Sequence, residues 1–312
     1  MPPVGHEDST DDVHHLEVLQ QPSNTTGGVP FAQQPIIIAV NEEGRRLNFS
    51  GPVVSAAIFR NPSGFGFVQG SDFATTPFNH GYANFTDLYI NLAGDAYTLR
   101  FTALDMWVDS IVFNVSMGPP AKIAIAVQPG SAFGGEEFRP QPAVEIQDAG
   151  GNPYTLAGVN AQCWVEILRD PSGHATLSQP GLNRDPDHPW HEVSMFPLHA
   201  RAVDGRMTFQ RLTIDAAGVG YQLRFRTNAQ ALFGIYPDYI DSENFTVGIG
   251  PTAFLQVQDQ PGGALGGTEF ASQPTIVLKD AGGNVNIHDS HSTVTVSIEV
   301  PHACCAAGAT RV

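Results

Sequence analysis

The side chains in this sequence that could bind a metal or act as nucleophiles are scattered. Histidines that stand close together in the sequence include His14, His15, His188, His191 and His199. A zinc site needs three or four converging ligands, and no Cys-x-x-Cys or His-Glu-x-x-His motif accompanies these residues. A Gly-x-Ser-x-Gly nucleophile motif is also missing. We therefore predict no catalytic site and no metal site, and we expect that this chain is not an enzyme.

Cysteine chemistry is limited to three residues, which are too few for a framework of disulfides. Cys163 lies beside Trp164 in a predicted strand, where we expect a small buried apolar side chain. Cys304 and Cys305 are adjacent and cannot bond to each other without strain. We predict that, if the compartment is oxidising, these two pair with cysteines outside this sequence or on another chain.

N-glycosylation is the modification that the sequence predicts. Five asparagines have Ser or Thr two positions later and no proline between: Asn24, Asn48, Asn84, Asn114 and Asn244. Glycans at these positions would mean that the protein passes through a eukaryotic secretory pathway.

The charge of the chain argues against a nucleic-acid partner. Its 31 acidic and 15 basic residues give a net charge of −16, whereas a phosphate-binding surface needs a basic patch. No apolar stretch approaches the ~20 residues of a membrane helix, so we expect no direct membrane insertion. Asp-x-x-Gly-Asn turns could offer oxygens to calcium, although they lack the acidic density of an EF-hand loop. We therefore predict no cofactor, with calcium at these turns as the single alternative left open.

One pattern of residues occurs three times and organises the whole chain. It consists of an apolar segment ending in Gln-Pro, a Gly-Gly pair, a Phe, and a second Gln-Pro before another apolar segment. The glycine pairs of the three copies are Gly27-Gly28, Gly134-Gly135 and Gly266-Gly267, and the spacing inside each copy is the same. Such self-similarity at this length indicates tandem domains.

The second halves of the first two copies also match, and they predict strands. Leu99 and Phe101 alternate with polar residues, as do Leu223 and Phe225, which is typical of strands with one buried face. Tyr97 and Tyr221 precede these segments at the position of a tyrosine corner. Asp148 to Asn152 and 280 to 284 supply glycines for hairpin turns. We find no helical period, and predict an all-β chain of tandem immunoglobulin-like β-sandwiches, about seven strands each.

These motifs resemble the tandem immunoglobulin-like repeats of bacterial surface adhesins of the invasin and intimin type. Similar repeats occur in large eukaryotic cell-surface and ciliary or flagellar proteins, and filamin repeats share the architecture. The resemblance covers residues 16–312. It implies a stiff extracellular array without an active site.

The repeats predict the domain organisation. Residues 1–15 form an acidic tail or the end of a preceding unit, and repeats 1, 2 and 3 cover residues 16–118, 119–250 and 251–312. Short linkers that contain proline and glycine should make the joints semi-rigid. Repeat 3 lacks the tyrosine-corner strands, so we expect that the polypeptide continues or that another chain donates them. In repeat 1 the turn reads Asn41-Glu-Glu-Gly44, which puts a common role of this turn in doubt.

Repeat 2 holds two aromatic-rich inserts, around residues 180–204 and 229–242. They either pack on their own domain or contact another chain, and the candidate interface residues are Trp190, Phe196, Phe233, Tyr236 and Tyr239. We expect other copies or other structural chains as partners.

The first functional hypothesis is a structural segment of an extracellular filament, rod or surface coat, for example a flagellar hair or cell-surface fibre. The alternatives are the spacer of a cell-surface adhesin, and an accessory region of an enzyme whose catalytic domain lies elsewhere.

Overall fold

A computed structural model describes residues 8–69, 74–155, 160–180 and 198–297, and the fold is all-β in these ranges. A 3-10 turn at Thr10–Asp12 precedes repeat 1. The strands of repeat 1 are β1 (His15–Gln20), β2 (Thr25–Thr26), β3 (Ile36–Val40), β4 (Val53–Arg60), β5 (Val68–Gln69), β6 (Thr75–Pro77), β7 (Tyr82–Asn84), β8 (Tyr89–Ile90), β9 (Gly94–Ala103), β10 (Met106–Asp109) and β11 (Phe113–Ser116).

Repeat 2 has the same order of strands, with one short helix, and repeat 3 contributes two strands. The elements are β12 (Lys122–Val127), β13 (Ala132–Phe133), β14 (Ala143–Gln147), β15 (Gln162–Arg169), β16 (Leu177–Ser178), β17 (His199–Val203), β18 (Arg206–Thr208), β19 (Thr213–Ile214), β20 (Gly218–Thr227), α1 (Ala229–Phe233), β21 (Tyr239–Asp241), β22 (Phe245–Gly248), β23 (Phe254–Asp259) and β24 (Thr275–Lys279).

Repeat 1 has two main sheets, and β5 and β8 form a separate two-stranded pair, as β16 and β19 do in repeat 2. In repeat 1 the first sheet has the order β1-β3-β7 and the second has the order β2-β11-β9-β4-β6, with β10 also on β9. Repeat 2 uses the equivalent strands, and its β17–β18 hairpin joins the two sheets into one continuous ladder. In repeat 3, β23 and β24 form an antiparallel pair. The predicted sandwich fold is confirmed.

The cores of repeats 1 and 2 are built from the same positions. Strands β9 and β20 have identical patterns of burial, in which Leu99 and Phe101, or Leu223 and Phe225, are fully buried. In repeat 1 the ring of Phe85 packs on Phe101 at a centroid distance of 5.6 Å. The equivalent rings in repeat 2, Phe209 and Phe225, lie 5.5 Å apart. The period-2 pattern of the sequence therefore places one face of each sheet in a core.

The predicted tyrosine corners are present in both repeats. The buried Tyr97 hydroxyl donates a hydrogen bond to the Leu92 carbonyl at 2.9 Å, and the Tyr221 hydroxyl donates to the Ala216 carbonyl at 2.9 Å. Each bond connects strand β9 or β20 to the loop before it.

The glutamine of the second Gln-Pro motif in repeats 1 and 2 forms hydrogen bonds to the backbone. The side chain of Gln34 accepts from the Leu88 N–H at 3.0 Å and donates to the Leu88 carbonyl at 3.1 Å. Gln141 makes the same pair of bonds to Leu212. Each glutamine thus bonds both backbone groups of the residue directly before β8 or β19, outside the strand ladders.

The second insert of repeat 2 contains the helix α1, which sequence periodicity did not predict. The helix has five residues and ends at Gly234, whose φ of 74° is left-handed. A single turn is too short to show a 3.6-residue period.

The apolar face of repeat 3 is exposed in the part of the chain that the structure describes. Phe270 is 45% exposed, whereas its equivalent in repeat 2, Phe138, is 1% exposed. Among these same residues, none of the helices is long and apolar enough to cross a membrane.

We expect that Tyr97→Phe and Tyr221→Phe each lower the free energy of unfolding by about 1 kcal/mol, because each removes one buried hydrogen bond to a backbone carbonyl. Urea denaturation of the full chain measures this. Tyr236→Phe is the control, because its side chain is 73% exposed. Corner variants as stable as the control would show that the hydroxyl bonds do not contribute.

Candidate functional site: the junctions between repeats

The turn that follows β14, at residues 148–152, lies at the end of repeat 2 that faces repeat 1. The Asp148 N–H donates to the Asn152 carbonyl at 3.0 Å, and the Gly151 N–H donates to the Asp148 carbonyl at 3.2 Å. Gly151 has a φ of 96°, which glycine adopts without strain. We call residues 148–152, and the equivalent residues 280–284 of repeat 3, the docking turns.

The Asp148 carboxylate is fully buried and organises the first docking turn. It accepts from the Asn152 N–H at 2.8 Å and from the Asn152 side-chain amide at 2.9 and 3.0 Å. It also accepts from the N–H of Gly118, in the linker, at 2.8 Å. The carboxylate therefore fixes both the asparagine side chain and the end of the linker.

The Asn152 side chain reaches across to repeat 1. Its amide nitrogen donates to the Asn91 carbonyl at 2.9 Å, and its amide oxygen accepts from the Ala93 N–H at 2.8 Å. Both atoms of repeat 1 belong to the loop between β8 and β9. One side chain thus connects two repeats through two backbone groups.

The glycine pair Gly27-Gly28 forms the surface on which the docking turn rests. Its N–H groups donate to the Ser116 and Ile90 carbonyls of repeat 1, each at 2.9 Å. A Cβ atom on Gly27 would overlap the Asn152 amide, and one on Gly28 would overlap the backbone of the docking turn. The pair must be glycine because the two backbones approach so closely.

The same junction occurs between repeats 2 and 3. The buried Asp280 accepts from the Gly250 N–H at 2.9 Å, and the Asn284 amide donates to the Asp215 carbonyl at 2.7 Å. The Ala217 N–H donates to the Asn284 amide oxygen at 2.9 Å. The docking turn again rests on a glycine pair, Gly134-Gly135. We call this arrangement the turn-to-glycine junction.

A buried carboxylate is stable only when hydrogen-bond donors satisfy it. At each junction these donors come from the docking turn and from the linker. Since N–H groups approach the carboxylate oxygens, the geometry favours a hydrogen-bonded anion over a calcium ligand. Within the described ranges, no group of three or more His, Cys, Asp or Glu residues could hold a metal.

Four of the predicted glycosylation sites, Asn24, Asn84, Asn114 and Asn244, are exposed, and Asn48 is half-buried. The Asn24 side-chain oxygen accepts from the Asn114 N–H at 2.8 Å, and the Asn114 side-chain oxygen accepts from the Ala96 N–H at 2.9 Å. The amide nitrogen, to which a glycan is attached, is the donor in neither bond. Their occupancy stays a prediction.

The candidate interface residues do not form one described surface. Phe233 packs inside repeat 2 against Tyr154, with ring centroids 5.5 Å apart, while Tyr236 is 73% exposed. The Arg224 guanidinium lies over the Tyr239 ring at 4.2 Å. Trp190 and Phe196 lie outside the described residues, as do Cys304 and Cys305. Cys163 is fully buried, as expected.

Each of the first two sandwiches has an Arg–Asp ion pair on its outer face that the sequence did not predict. Arg100 makes two bonds to Asp109, at 2.7 and 2.9 Å, and Arg224 makes the same bonds to Asp241 at 2.7 and 2.8 Å. The hydrogen bond from Arg224 lowers the pKa of the Asp241 carboxyl. Each pair joins neighbouring strands of one sheet, and it could have been found by aligning the two repeats.

Comparison with known proteins gives one relative and several structural neighbours. No family model matches the chain. Fibrocystin-L of Mus musculus is 35% identical over 107 residues, which are 33% of this chain and 2% of that protein. This chain therefore spans a small fraction of the relative it matches.

Solved structures that are similar to this chain include an adhesin, a surface layer protein and a glycosidase. FdeC, an adhesin of Escherichia coli, is 17% identical with a TM-score of 0.26 over 88% of this chain and 76% of the other. Domains 4–9 of the surface layer protein SbsC are 14% identical with a TM-score of 0.25 over 79% of this chain and 33% of the other. A β-glycosidase from Bacteroides vulgatus also matches, at 15% identity and a TM-score of 0.27 over 75% and 25%.

We expect that Asn152→Ala frees repeat 1 from repeat 2, because it removes both hydrogen bonds to the Asn91 carbonyl and the Ala93 N–H. The loss of two such bonds amounts to about 1–3 kcal/mol. Bio-orthogonal spin labels at the exposed Ser55 and Arg201 report the distance between the repeats by double electron–electron resonance.

The wild-type chain should give one narrow distance distribution, and the Asn152→Ala chain a broad one. Asn41→Ala, at the repeat 1 position equivalent to Asp148, is the matched control and should leave the distribution narrow. A narrow distribution in the Asn152→Ala chain would contradict the role of this side chain.

Proposed function

We propose that this chain is a structural, non-catalytic segment of a large extracellular repeat protein, in which it forms a stiff rod within a filament or surface coat. The observation that carries this proposal is the turn-to-glycine junction, which occurs twice with the same residues and bonds. A junction that recurs between successive repeats and consists of hydrogen bonds and backbone contacts fits a mechanical role.

The stiffness follows from what each joint would lose on bending. Tilting one repeat against the next would break the two hydrogen bonds of Asn152 to repeat 1 and would strain the bond from the linker N–H of Gly118 to the buried Asp148. The linker offers little freedom, because Gly118 is bonded to Asp148 and two prolines follow it. Bending is therefore opposed by contacts on both sides of the joint.

The extracellular location is supported by the exposure of the glycosylation sequons. In repeat 1 three of them, Asn24, Asn84 and Asn114, are exposed, as is Asn244 in repeat 2. These positions leave room for glycans without disturbing either core. A flagellar hair or cell-surface fibre is the kind of assembly in which such a rod would serve.

The partners that this function requires are other copies or other structural chains of the same assembly. Of the candidate contacts that the structure describes, Tyr236, in the second insert of repeat 2, is the most exposed. Aromatic side chains of this kind are enriched in protein interfaces.

Glycopeptide mass spectrometry of protein purified from its own organism tests the extracellular assignment. We expect glycans on Asn84, Asn114 or Asn244, because their side chains are exposed. Asn61, whose sequon is interrupted by Pro62, is the internal control and should be unmodified. Unmodified asparagines at all five sequons would contradict passage through a eukaryotic secretory pathway.

A further inference from the structure

Repeat 1 has a turn at the position of the docking turns, with the same backbone but different side chains. The Asn41 N–H donates to the Arg45 carbonyl, and the Gly44 N–H donates to the Asn41 carbonyl, each at 3.0 Å. These bonds correspond to those that Asp148 makes in repeat 2, and Gly44 has a φ of 72°, as its position requires. The conformation of the turn is therefore retained.

Glu43 stands where the docking turn of repeat 2 has Gly150. A Cβ atom on Gly150 would lie 2.7 Å from the Gly27 carbonyl carbon and 2.8 Å from the Gly28 nitrogen, and it would overlap the Asn91 carbonyl oxygen. These are backbone atoms of the preceding repeat and cannot move aside as a flexible side chain can. A glutamate at this position is sterically incompatible with a turn-to-glycine junction.

Arg45 stands where repeat 2 has Asn152. The junction needs a side chain that both donates to a carbonyl and accepts from an N–H, as the Asn152 amide does. A guanidinium has five donors and no acceptor. The substitution would leave the N–H equivalent to that of Ala93 without its partner.

The segment that enters repeat 1 also differs from the linkers. Asp11 occupies the position equivalent to Gly118, and its N–H donates to the Ser9 hydroxyl at 3.1 Å, not to the turn. The Asp8 carboxylate accepts from the Asn48 N–H at 2.8 Å, which ties this segment to repeat 1 itself. The Asp11 N–H, which is equivalent to the linker donor of Gly118, is thus bonded to Ser9 within its own segment.

We infer that repeat 1 is the first member of the docked series: it receives repeat 2 on its glycine pair but cannot dock through its own turn onto a repeat of this type. Any segment that contacts this face of repeat 1 would have to do so through other interactions. The rod therefore has a polarity, and it cannot be lengthened in this direction by further turn-to-glycine junctions. This inference rests on the proposed role of the junctions.

Transplanting the repeat 1 turn into repeat 2 of the full chain tests the inference. The variant carries Asp148→Asn, Ala149→Glu, Gly150→Glu and Asn152→Arg, with spin labels at Ser55 and Arg201. Since the turn keeps its backbone conformation in repeat 1, we expect repeat 2 to fold. We expect the narrow distance peak between repeats 1 and 2 to be lost. A second label pair, at Arg201 and Gln256, should keep its narrow peak across the unchanged second junction.

Two single variants serve as controls. Gly150→Glu alone should also lose the narrow peak, whereas Ala149→Glu should keep it because Ala149 is exposed. A transplanted chain that keeps its narrow peak would overturn the inference. If the transplanted chain kept its narrow peak while Asn152→Ala lost it, the role of Asn152 in the junction would stand. Only the inference that repeat 1 cannot dock through its own turn would then fail. If Asn152→Ala kept it too, the proposed role of the junctions would fail first.

Discussion

The buried aspartate of each docking turn is the constraint on which the arrangement of the repeats depends. A carboxylate removed from water must be surrounded by donors, and Asp148 finds them in the amide of Asn152 and in the linker N–H of Gly118. The same interaction that satisfies the charge orients Asn152 toward repeat 1. The hydrogen bonds that satisfy this carboxylate therefore also position repeat 2 against repeat 1. Asp280 makes the equivalent bonds at the second junction.

Hydrogen bonds within each of the first two sandwiches hold the glycine pair on which the next repeat rests. The glycine pair is held by strand ends, since the Gly28 N–H bonds to Ile90 and the Gly135 N–H bonds to Ile214. The residues that offer the receiving carbonyls, Asn91 and Asp215, use their side chains to accept from the backbone of the neighbouring loop, at Phe67 and Thr176. Asparagine and aspartate are interchangeable there because only an acceptor oxygen is needed.

Sequence reasoning predicted the fold and the tyrosine corners, because both follow from local period and spacing. It did not predict the junctions. The sequence marks Gly27-Gly28 as a repeated position and predicts a hairpin turn at Asp148 to Asn152. A period-2 pattern does not indicate which turn contacts which glycine pair across a domain boundary. The available signal was the change at Asn41, Glu43 and Arg45: a turn that keeps its glycine but loses its other repeated residues indicates that those residues serve a contact outside the turn.

Hydrogen exchange of four backbone amides tests the central claim most directly. The N–H groups of Gly118, Ala93, Gly250 and Ala217 donate to the side chains of the docking turns. If the junctions persist in solution, these loop amides exchange as slowly as those of the core strands β9 and β20, measured by NMR on the full chain. Exchange as fast as that of exposed loops would show that the repeats move independently, and would contradict the account.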